Sequence, residues 1–207
     1  MKTVISMLGA AVALGVAAQD IKLVEPVREG GATLMQALAE RKSSREYSSR
    51  ELAPETLSSL LWAADGVNRP DGRRTAPTGL NVQDIDVYVM LSSGVYRYDA
   101  HTHALQLVNA GDHRKVAGRQ DYPQKAPVNL FYVQNLDKAM KADAVNTARH
   151  GGIHTGAVMQ NVYLFCAKEK LACVARDYVD RDAVAKVLKL GANQRIILSQ
   201  TVGYPAK

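Results

Sequence analysis

The strongest constraint on the fold is a helical segment near residue 160 that is apolar around most of its circumference. It runs from about Thr155 to Leu171. The side chains that leave it little polar face are Val158, Met159, Val162, Tyr163, Phe165 and Cys166. A helix of this kind is expected at the centre of a core. At 207 residues the chain can bury one substantial core, so we expect a single domain.

Several segments have the pattern of β-strands. Alternation of β-branched and aromatic residues with other types predicts a strand, and a short continuous apolar run after Pro127 predicts a buried one. The predicted strands are Ile85–Leu91, Val95–Tyr98, Ala104–Val108, Val128–Val133 and Arg195–Val202, with a strand-like segment at Ala172–Val179. The turn sequence Ser92-Ser93-Gly94 predicts that the first two form a hairpin.

Capping signals indicate where helices begin. Thr33 and Gln36 have the spacing of a capping box, and Pro54 suits a first helical position. Asp180 can cap a further helix. The predicted helices begin near Leu34, at Pro54 and at Arg181, the last ending at Leu190 before Gly191, and a separate polar helical segment covers Leu136–His150. The stretch Val67–Gln83 has no apolar period and is predicted to be an ordered loop or a surface excursion.

The first residues have the pattern of a secretory signal peptide. Lys2 is followed by an apolar run from Val4 to Val16, and Val16 and Ala18 are small enough for signal peptidase. We therefore predict a signal peptide at residues 1–18, a mature domain at 19–207 and a periplasmic or secreted location. The run is too short to span a membrane, and no cysteine lies directly after it as in a lipoprotein signal, so no membrane anchor is expected. The alternative interpretation is a first core helix.

Composition and charge argue against several classes of protein. Hydrophobic residues make up 47% of the chain and charged residues 22%, which argues against disorder. The formal charge of +6 comes from basic residues spread along the chain, so no nucleic-acid partner is predicted. A bridge between Cys166 and Cys173 would need an unusually tight return of the chain. Buried thiols are favoured, and a disulfide is the alternative.

The first candidate binding site is Arg41-Lys42-Ser43-Ser44-Arg45, which we call the basic segment. It follows the predicted first helix and presents two guanidinium groups and a hydroxyl on alternate residues. Forked donors with positive charge suit a phosphate monoester. The alternative is a solvated basic helix end that complements the helix dipole.

Two pairs of histidines raise the question of a metal site. His101 and His103 share one turn, and His150 and His154 have the i, i+4 spacing of a zinc motif without its glutamate. The glycines between His150 and His154 argue against the helix that such a motif needs. We predict no metal. We also find no Ser-His-Asp or paired-carboxylate set, so no catalytic side chain is predicted.

Three motifs occur in an order and at intervals that are typical of one family. They are the basic segment, the loop Arg74–Gln83 and the C-terminal stretch Thr201–Pro205. Together they resemble the nitroreductase-like flavoprotein superfamily, which holds FMN with R-x-S-x-R, a P-S-x-x-N-x-Q loop and a V-G-Y-P strand. Within it the sequence looks closest to the thiazole/oxazole-forming dehydrogenases. The resemblance implies an α+β fold, a mixed or antiparallel sheet flanked by helices, and a homodimer with two FMN sites.

The resemblance also assigns cofactor contacts. In relatives the basic segment binds the phosphate, the proline-led loop packs beside the ring, commonly in the partner's site, and amides after the central helix face the flavin N5. The predicted cofactor-binding residues are Arg41, Ser43, Arg45, Pro77, Thr78, Asn81, Gln83, Ala175, Arg176 and Lys207. Lys207 is the residue available in place of the basic C-terminal arm of typical nitroreductases. One departure is His154, where many relatives carry an acid.

The activity that the resemblance implies is ping-pong, two-electron transfer through the flavin N5 on a small-molecule or peptide substrate. An exported enzyme would meet little NAD(P)H, so the expected donor is a quinol, a redox protein or the substrate itself. One alternative is a secreted flavin- or phosphate-binding protein that keeps the fold without turnover. Another is a basic segment that binds a different phosphate or an acidic polymer.

Overall fold

The computed structural model describes residues 18–206, which form a seven-stranded sheet flanked by helices. The strands are β1 (Ile21–Lys22), β2 (Ile85–Met90), β3 (Gly94–Asp99), β4 (Ala104–Ala110), β5 (Val128–Asn135), β6 (Ala172–Arg176) and β7 (Gln194–Gly203). The helices are α1 (Leu34–Glu40), α2 (Pro54–Asp65), α3 (Tyr122–Lys125), α4 (Ala144–Lys168) and α5 (Arg181–Val187). The strand order is β1-β4-β3-β2-β5-β7-β6, and all neighbours are antiparallel. The predicted α+β fold is confirmed.

The hairpin predicted in the middle of the chain is confirmed. β2 and β3 pair antiparallel, and the Leu91 amide donates to the Gly94 carbonyl oxygen at 2.9 Å across the turn. All six residues of β2 are buried because the strand lies between β3 and β5 in the interior of the sheet. Burial on both faces explains why its side chains show little alternation between polar and apolar types.

Different helices cover the two faces of the sheet. On one face Leu60 of α2 and Val158 and Val162 of α4 belong to a single buried cluster with residues of β2 and β5. On the other face Val184 of α5 lies in a second cluster with Phe131. The apolar segment near residue 160 therefore forms a helix at the centre of the larger core, as predicted.

The two helices predicted at 136–150 and 155–171 are wrong as separate elements, because α4 is one continuous helix from Ala144 to Lys168. Asp143 caps its start by accepting from the Asn146 amide at 3.0 Å. The glycines that were expected to break the helix lie inside it. A Cβ at Gly151 would come within 2.3 Å of the Gln134 side chain, so this glycine lets α4 pack against β5.

The other helix boundaries test the capping signals directly. Thr33 and Gln36 form the predicted capping box, and Pro54 is the first residue of α2. Asp180 caps α5, but the predicted end at Leu190 is wrong, because the helix ends at Val187. Lys189 takes up the left-handed conformation with φ of 52°, so the chain turns before it reaches Gly191.

Cys166 and Cys173 are free thiols, and both are buried. Gln200 Nε2 donates to Cys173 Sγ at 3.0 Å. Burial raises the pKa of the Cys166 thiol well above its ordinary value. The predicted pair of buried thiols is therefore what the fold contains.

Residues 1–17 and Lys207 lie outside the described range. The signal peptide, the export that depends on it and the phosphate contact of Lys207 therefore stay predictions. Between residues 18 and 206, no helix has the length and apolar character needed to cross a membrane.

Candidate functional site

The basic segment is joined to β6 through one tyrosine of α4. The Arg41 guanidinium lies over the Tyr163 ring, 5.3 Å from its centre, and Ser43 Oγ is 3.0 Å from Tyr163 Oη. The same hydroxyl accepts the Ala175 amide at 2.8 Å. Tyr163 therefore brings together three of the predicted cofactor-binding residues.

The backbone of the basic segment runs along the outer edge of β6. The Ser44 amide donates to the carbonyl oxygen of Cys173 at 2.8 Å. Beside it lies a cavity of about 610 Å³ whose lining includes Arg41, Tyr163 and Pro205. This volume is within the range of small-molecule sites. Arg45 is exposed and is not part of that lining.

Arg41 and Arg45 form no ion pair with a carboxylate within residues 18–206, although the Arg41 guanidinium stacks on the Tyr163 ring. Arg41 is half-buried and Arg45 is exposed, and guanidinium groups without a carboxylate partner can donate forked hydrogen bonds to a phosphate. The donors present therefore fit a phosphorylated ligand.

Arg176 lies on the opposite face of the sheet from this cavity. Its side chain is buried and donates to Thr201 Oγ1 at 2.7 Å, to Asn129 Oδ1 at 2.8 Å and to the Ala117 carbonyl oxygen. Burial lowers its pKa to about 10. Its side chain therefore holds the sheet to the loop around Ala117. Only its backbone, which pairs with Ser199, belongs to the strand that was predicted to face the flavin ring.

The second group of predicted residues forms a compact turn, Pro77–Gln83, which we call the proline loop. Thr78 Oγ1 accepts the Gln83 amide at 3.0 Å, and Gln83 Nε2 donates to Asn81 Oδ1 at 3.2 Å. Three non-glycine residues of this loop are left-handed: Leu80, Asn81 and Gln83, with φ of 51°, 54° and 50°. Such conformations are unfavourable for side-chain-bearing residues and persist only where the surroundings hold them.

The proline loop borders a different cavity from the basic segment. This second cavity has about 440 Å³, and its lining includes Pro77, Thr78 and Asn81 together with Arg69 and Arg73. The two cavities share no lining residue. Within one chain, the structure therefore collects the predicted residues into two groups and does not bring the groups together.

A buried polar network, which we call the His154 network, ties the proline loop to the core. The Gly79 amide donates to His154 Nε2 at 2.9 Å, and His154 Nδ1 lies 2.6 Å from Asp84 Oδ1. Asp84 Oδ2 accepts from Gln134 Nε2 at 2.7 Å. Gln134 Oε1 in turn accepts from Arg195 Nε at 2.9 Å. The network spans α4, β5 and β7.

A comparison with models of protein families identifies the family of the chain. The model of the nitroreductase family matches residues 38–204, which include the basic segment, the proline loop and the central helix. The chain belongs to the nitroreductase family.

Individual relatives agree with this assignment. A crystal structure described as a nitroreductase of Ralstonia eutropha JMP134 is 39% identical, covers 98% of this chain and 97% of that one, and has a TM-score of 0.88. A Methanocaldococcus jannaschii protein described as a nitroreductase is 27% identical over 167 residues, which are 76% of this chain and 84% of the relative.

A more distant neighbour shares the fold with the nitroreductase chain. It is the Escherichia coli microcin synthetase McbBCD complex, solved with truncated pro-MccB17 bound. The identity is 21%, the TM-score is 0.72, and the match covers 81% of this chain and 70% of that one. Membership of the nitroreductase family supports an oxidoreductase activity, and proteins of this family generally bind flavin, usually FMN.

His103 and His154 of this nitroreductase have structural hydrogen-bond partners. His103 Nδ1 contacts Tyr98 Oη at 2.9 Å, and its Nε2 contacts Ser58 Oγ at 2.8 Å. His150 and His154 do lie on one helix, so the expectation that the intervening glycines exclude a helix is wrong. No group of three or more metal-ligating side chains occurs among the residues that the structure describes.

Sequence reasoning missed Tyr163, Asp84 and the role of His154. A tyrosine in an otherwise apolar helix needs a partner for its hydroxyl, which was a usable signal for Tyr163. His154 was considered only as a possible metal ligand and as a departure from the family pattern. Its partner Asp84 is 70 residues away in sequence, and spacing along the chain gives no indication of that contact.

Proposed function

We propose that this nitroreductase is an FMN-dependent oxidoreductase. The observation that carries the proposal is the Arg41 guanidinium in the lining of a cavity of about 610 Å³, with Ser43 and Arg45 following it in the chain and with no carboxylate paired to either arginine within residues 18–206. When bound, FMN would supply two-electron transfer at N5, first from a donor and then to an acceptor in a ping-pong cycle.

The residues of the chain would bind and orient the cofactor without supplying an acid or a nucleophile. Arg41, Ser43 and Arg45 would hold the phosphate through charge-assisted hydrogen bonds. Arg45 would also offer a fixed cation, which favours the negative charge gained on reduction. The Tyr163 hydroxyl fixes the Ala175 amide and Ser43 in one arrangement, which supports the assignment of β6 to the same site.

We further propose a homodimer in which two copies complete each site. The basic segment and the proline loop border separate cavities in one chain, so a site that uses both requires a second copy. Exposed apolar side chains on the proline loop and α4 support such an interface: Leu80, Val145 and Ile153. The expected measurement is a dimer mass in solution by light scattering.

The substrate is proposed to be a small molecule or a peptide. The microcin synthetase neighbour was solved with a propeptide bound, which makes peptide heterocycles one class to test. Nitroaromatics and quinones are the other class, because the family of the chain is that of nitroreductases. Turnover with each class, measured with the same enzyme preparation, would separate them.

Export would set the electron donor. If residues 1–18 are cleaved and the enzyme acts outside the cytoplasm, the proposed donor is a quinol, a redox protein or the substrate. Stopped-flow reduction of the bound flavin tests this point. Rapid bleaching by NADH at micromolar concentration would contradict it.

The visible spectrum of the purified protein tests the proposed function as a whole. We expect flavin absorbance that bleaches on reduction and returns when an acceptor is added. A coloured protein that bleaches but never reoxidises with any acceptor would instead be a binding protein without turnover. A colourless protein that does not take up added FMN would overturn the proposal.

A further inference from the structure

We propose that His154 is a positioning residue for the proline loop and holds it only while the imidazole is neutral. The inference rests on the proposed function in one respect, namely that the loop flanks the flavin. The hydrogen bonds that carry it belong to the protein alone.

The first step is the tautomer of His154. The backbone amide of Gly79 can only donate, so the His154 Nε2 that it contacts at 2.9 Å must accept through its lone pair. The proton of the neutral ring then lies on Nδ1, which donates to Asp84 Oδ1 at 2.6 Å. His154 is buried, so this arrangement has little access to competing water.

The second step is the direction of the remaining bonds. Gln134 Nε2 donates to Asp84 Oδ2 at 2.7 Å, and Arg195 Nε donates to Gln134 Oε1 at 2.9 Å. Both oxygens of Asp84 therefore accept, as in an ionised carboxylate. Asp84 and Gln134 are fully buried. The donors all run towards Asp84, which fixes the orientation of the His154 ring.

The third step is the need of the loop for an anchor. Leu80, directly after Gly79, is left-handed and has 86% of its surface exposed, so its own side chain contributes little packing. Gly79 approaches closely: a Cβ there would lie 2.9 Å from Met140 Sδ and 3.6 Å from His154 Nε2. The bond from the Gly79 amide to His154 thus holds the unfavourable turn against the core.

Protonation of His154 would break this anchor. A proton on Nε2 would point an N–H group at the N–H of the Gly79 backbone. The Gly79 amide would then lose its acceptor. The titratable groups that face His154 are Asp84, ahead of β2, and His150, whose ring stacks on it at 6.2 Å. Arg149 lies beside His150, and Arg195 reaches the network only through Gln134. Release of the loop is therefore expected as the pH falls.

Nuclear magnetic resonance on the full chain tests the tautomer and the anchor. A titration of the wild type from about pH 8 to about pH 5 follows the His154 ring and the Gly79 amide together. While the ring is neutral we expect its proton on Nδ1 and a protected Gly79 amide, and protection corrected for intrinsic exchange should drop roughly five- to tenfold once the ring is protonated. A proton on Nε2 at about pH 8, or protection that does not follow His154, would overturn the proposal.

Two substitutions separate positioning from packing. His154→Gln keeps an acceptor but cannot gain a proton in this range, so the Gly79 amide should stay protected at both pH values. His154→Leu should lose protection at both. His150→Gln, one helical turn earlier, is the matched control and should behave as the wild type. A pH response in His154→Gln equal to that of the wild type would refute the mechanism, even if His154→Leu does not fold.

FMN binding provides the link to the proposed function. Wild-type affinity for FMN should fall over the same pH range, and the fall should be several-fold smaller in His154→Gln. Equal pH dependence in the two proteins would contradict a role for His154 in positioning the flavin-flanking loop. A protein that binds no FMN at any pH would remove the proposed function, whereas the Gly79 measurements would still decide whether His154 anchors the loop.

Discussion

The basic segment and the proline loop are attached to the core in different ways. The basic segment is held by neutral hydrogen bonds, from Ser43 to Tyr163 and from the Ser44 amide to a carbonyl of β6, and its two arginines remain without carboxylate partners in the described chain. The proline loop is held by a buried network that contains an aspartate, both of whose oxygens accept hydrogen bonds, and a histidine, and its own backbone is left-handed at three residues.

The difference indicates which property each region controls. Charges in the basic segment are available to a ligand, so changes there should alter binding and leave folding intact. Polar groups in the His154 network hydrogen-bond to one another inside the protein, so changes there should alter stability and the conformation of the loop. Substitutions in each region test whether the basic segment controls ligand binding and the His154 network controls stability.

The largest effect is expected from Arg41→Ala combined with Arg45→Ala. Each charge-assisted contact contributes about 1.5–3 kcal/mol, so FMN affinity should fall by roughly two to four orders of magnitude. Fluorescence titration with FMN measures this. Arg97→Ala, on an exposed arginine that contacts Gln106, is the control and should bind as the wild type. Unchanged flavin content in the double variant would mean that the basic segment binds another ligand.

Asp84→Ala should destabilise the fold most among single changes in the loop anchor. It removes the acceptor of both His154 and Gln134 in a buried site, which should lower the free energy of unfolding by about 3 kcal/mol. Urea denaturation at one protein concentration gives the value. The exposed Asp71→Ala should change it by less than about 0.5 kcal/mol. Equal losses in the two variants would remove the distinction between the regions.

Tyr163→Phe tests the neutral attachment of the basic segment. Loss of the hydroxyl leaves the Ala175 amide without its acceptor and frees Ser43, for an expected loss of about 1–2 kcal/mol in unfolding free energy. Thermal denaturation and FMN titration measure both consequences. Tyr178→Phe, on an exposed ring, is the control. A fully stable Tyr163→Phe protein would show that the hydroxyl does not hold the segment.

Leu80→Gly should have the smallest effect and the opposite sign. Glycine adopts the φ of 51° without penalty, which should raise the free energy of unfolding by about 0.5 kcal/mol after its larger unfolded-state entropy is counted. Val27→Gly, at an exposed residue with ordinary backbone, should lower it by a similar amount. Destabilisation by Leu80→Gly would indicate either that the turn carries little strain or that the Leu80 side chain packs in the proposed dimer interface.

The regular elements could be predicted because their signals are local. The capping box at Thr33, the proline at residue 54 and the runs of β-branched and aromatic residues in the strands all act over a few neighbouring residues. The continuity of α4 could not be predicted, because Gly151 is explained by the approach of Gln134 and not by backbone preference. Local propensity gave the wrong answer where packing from another element decided the outcome.

The candidate site was predicted only in part. The motifs identified the residues of the basic segment and the proline loop, and the structure places part of each group in the lining of a separate cavity. The connections that hold them, from Tyr163 to β6 and from His154 to Asp84, join residues far apart in sequence. Sequence spacing carries no information about such contacts, so the anchors were found only from the fold.

The position of the basic segment along β6 has a further consequence. β6 is the last strand of the sheet, and a bare terminal strand offers unpaired amides and carbonyls to any other chain. The Ser44 amide occupies one of those carbonyls. The basic segment, which would bind the phosphate of the cofactor, thus also covers part of the β6 edge and opposes edge-to-edge pairing with other chains. Variants that weaken the contact between the basic segment and β6 are expected to aggregate during purification, even when their core remains well packed.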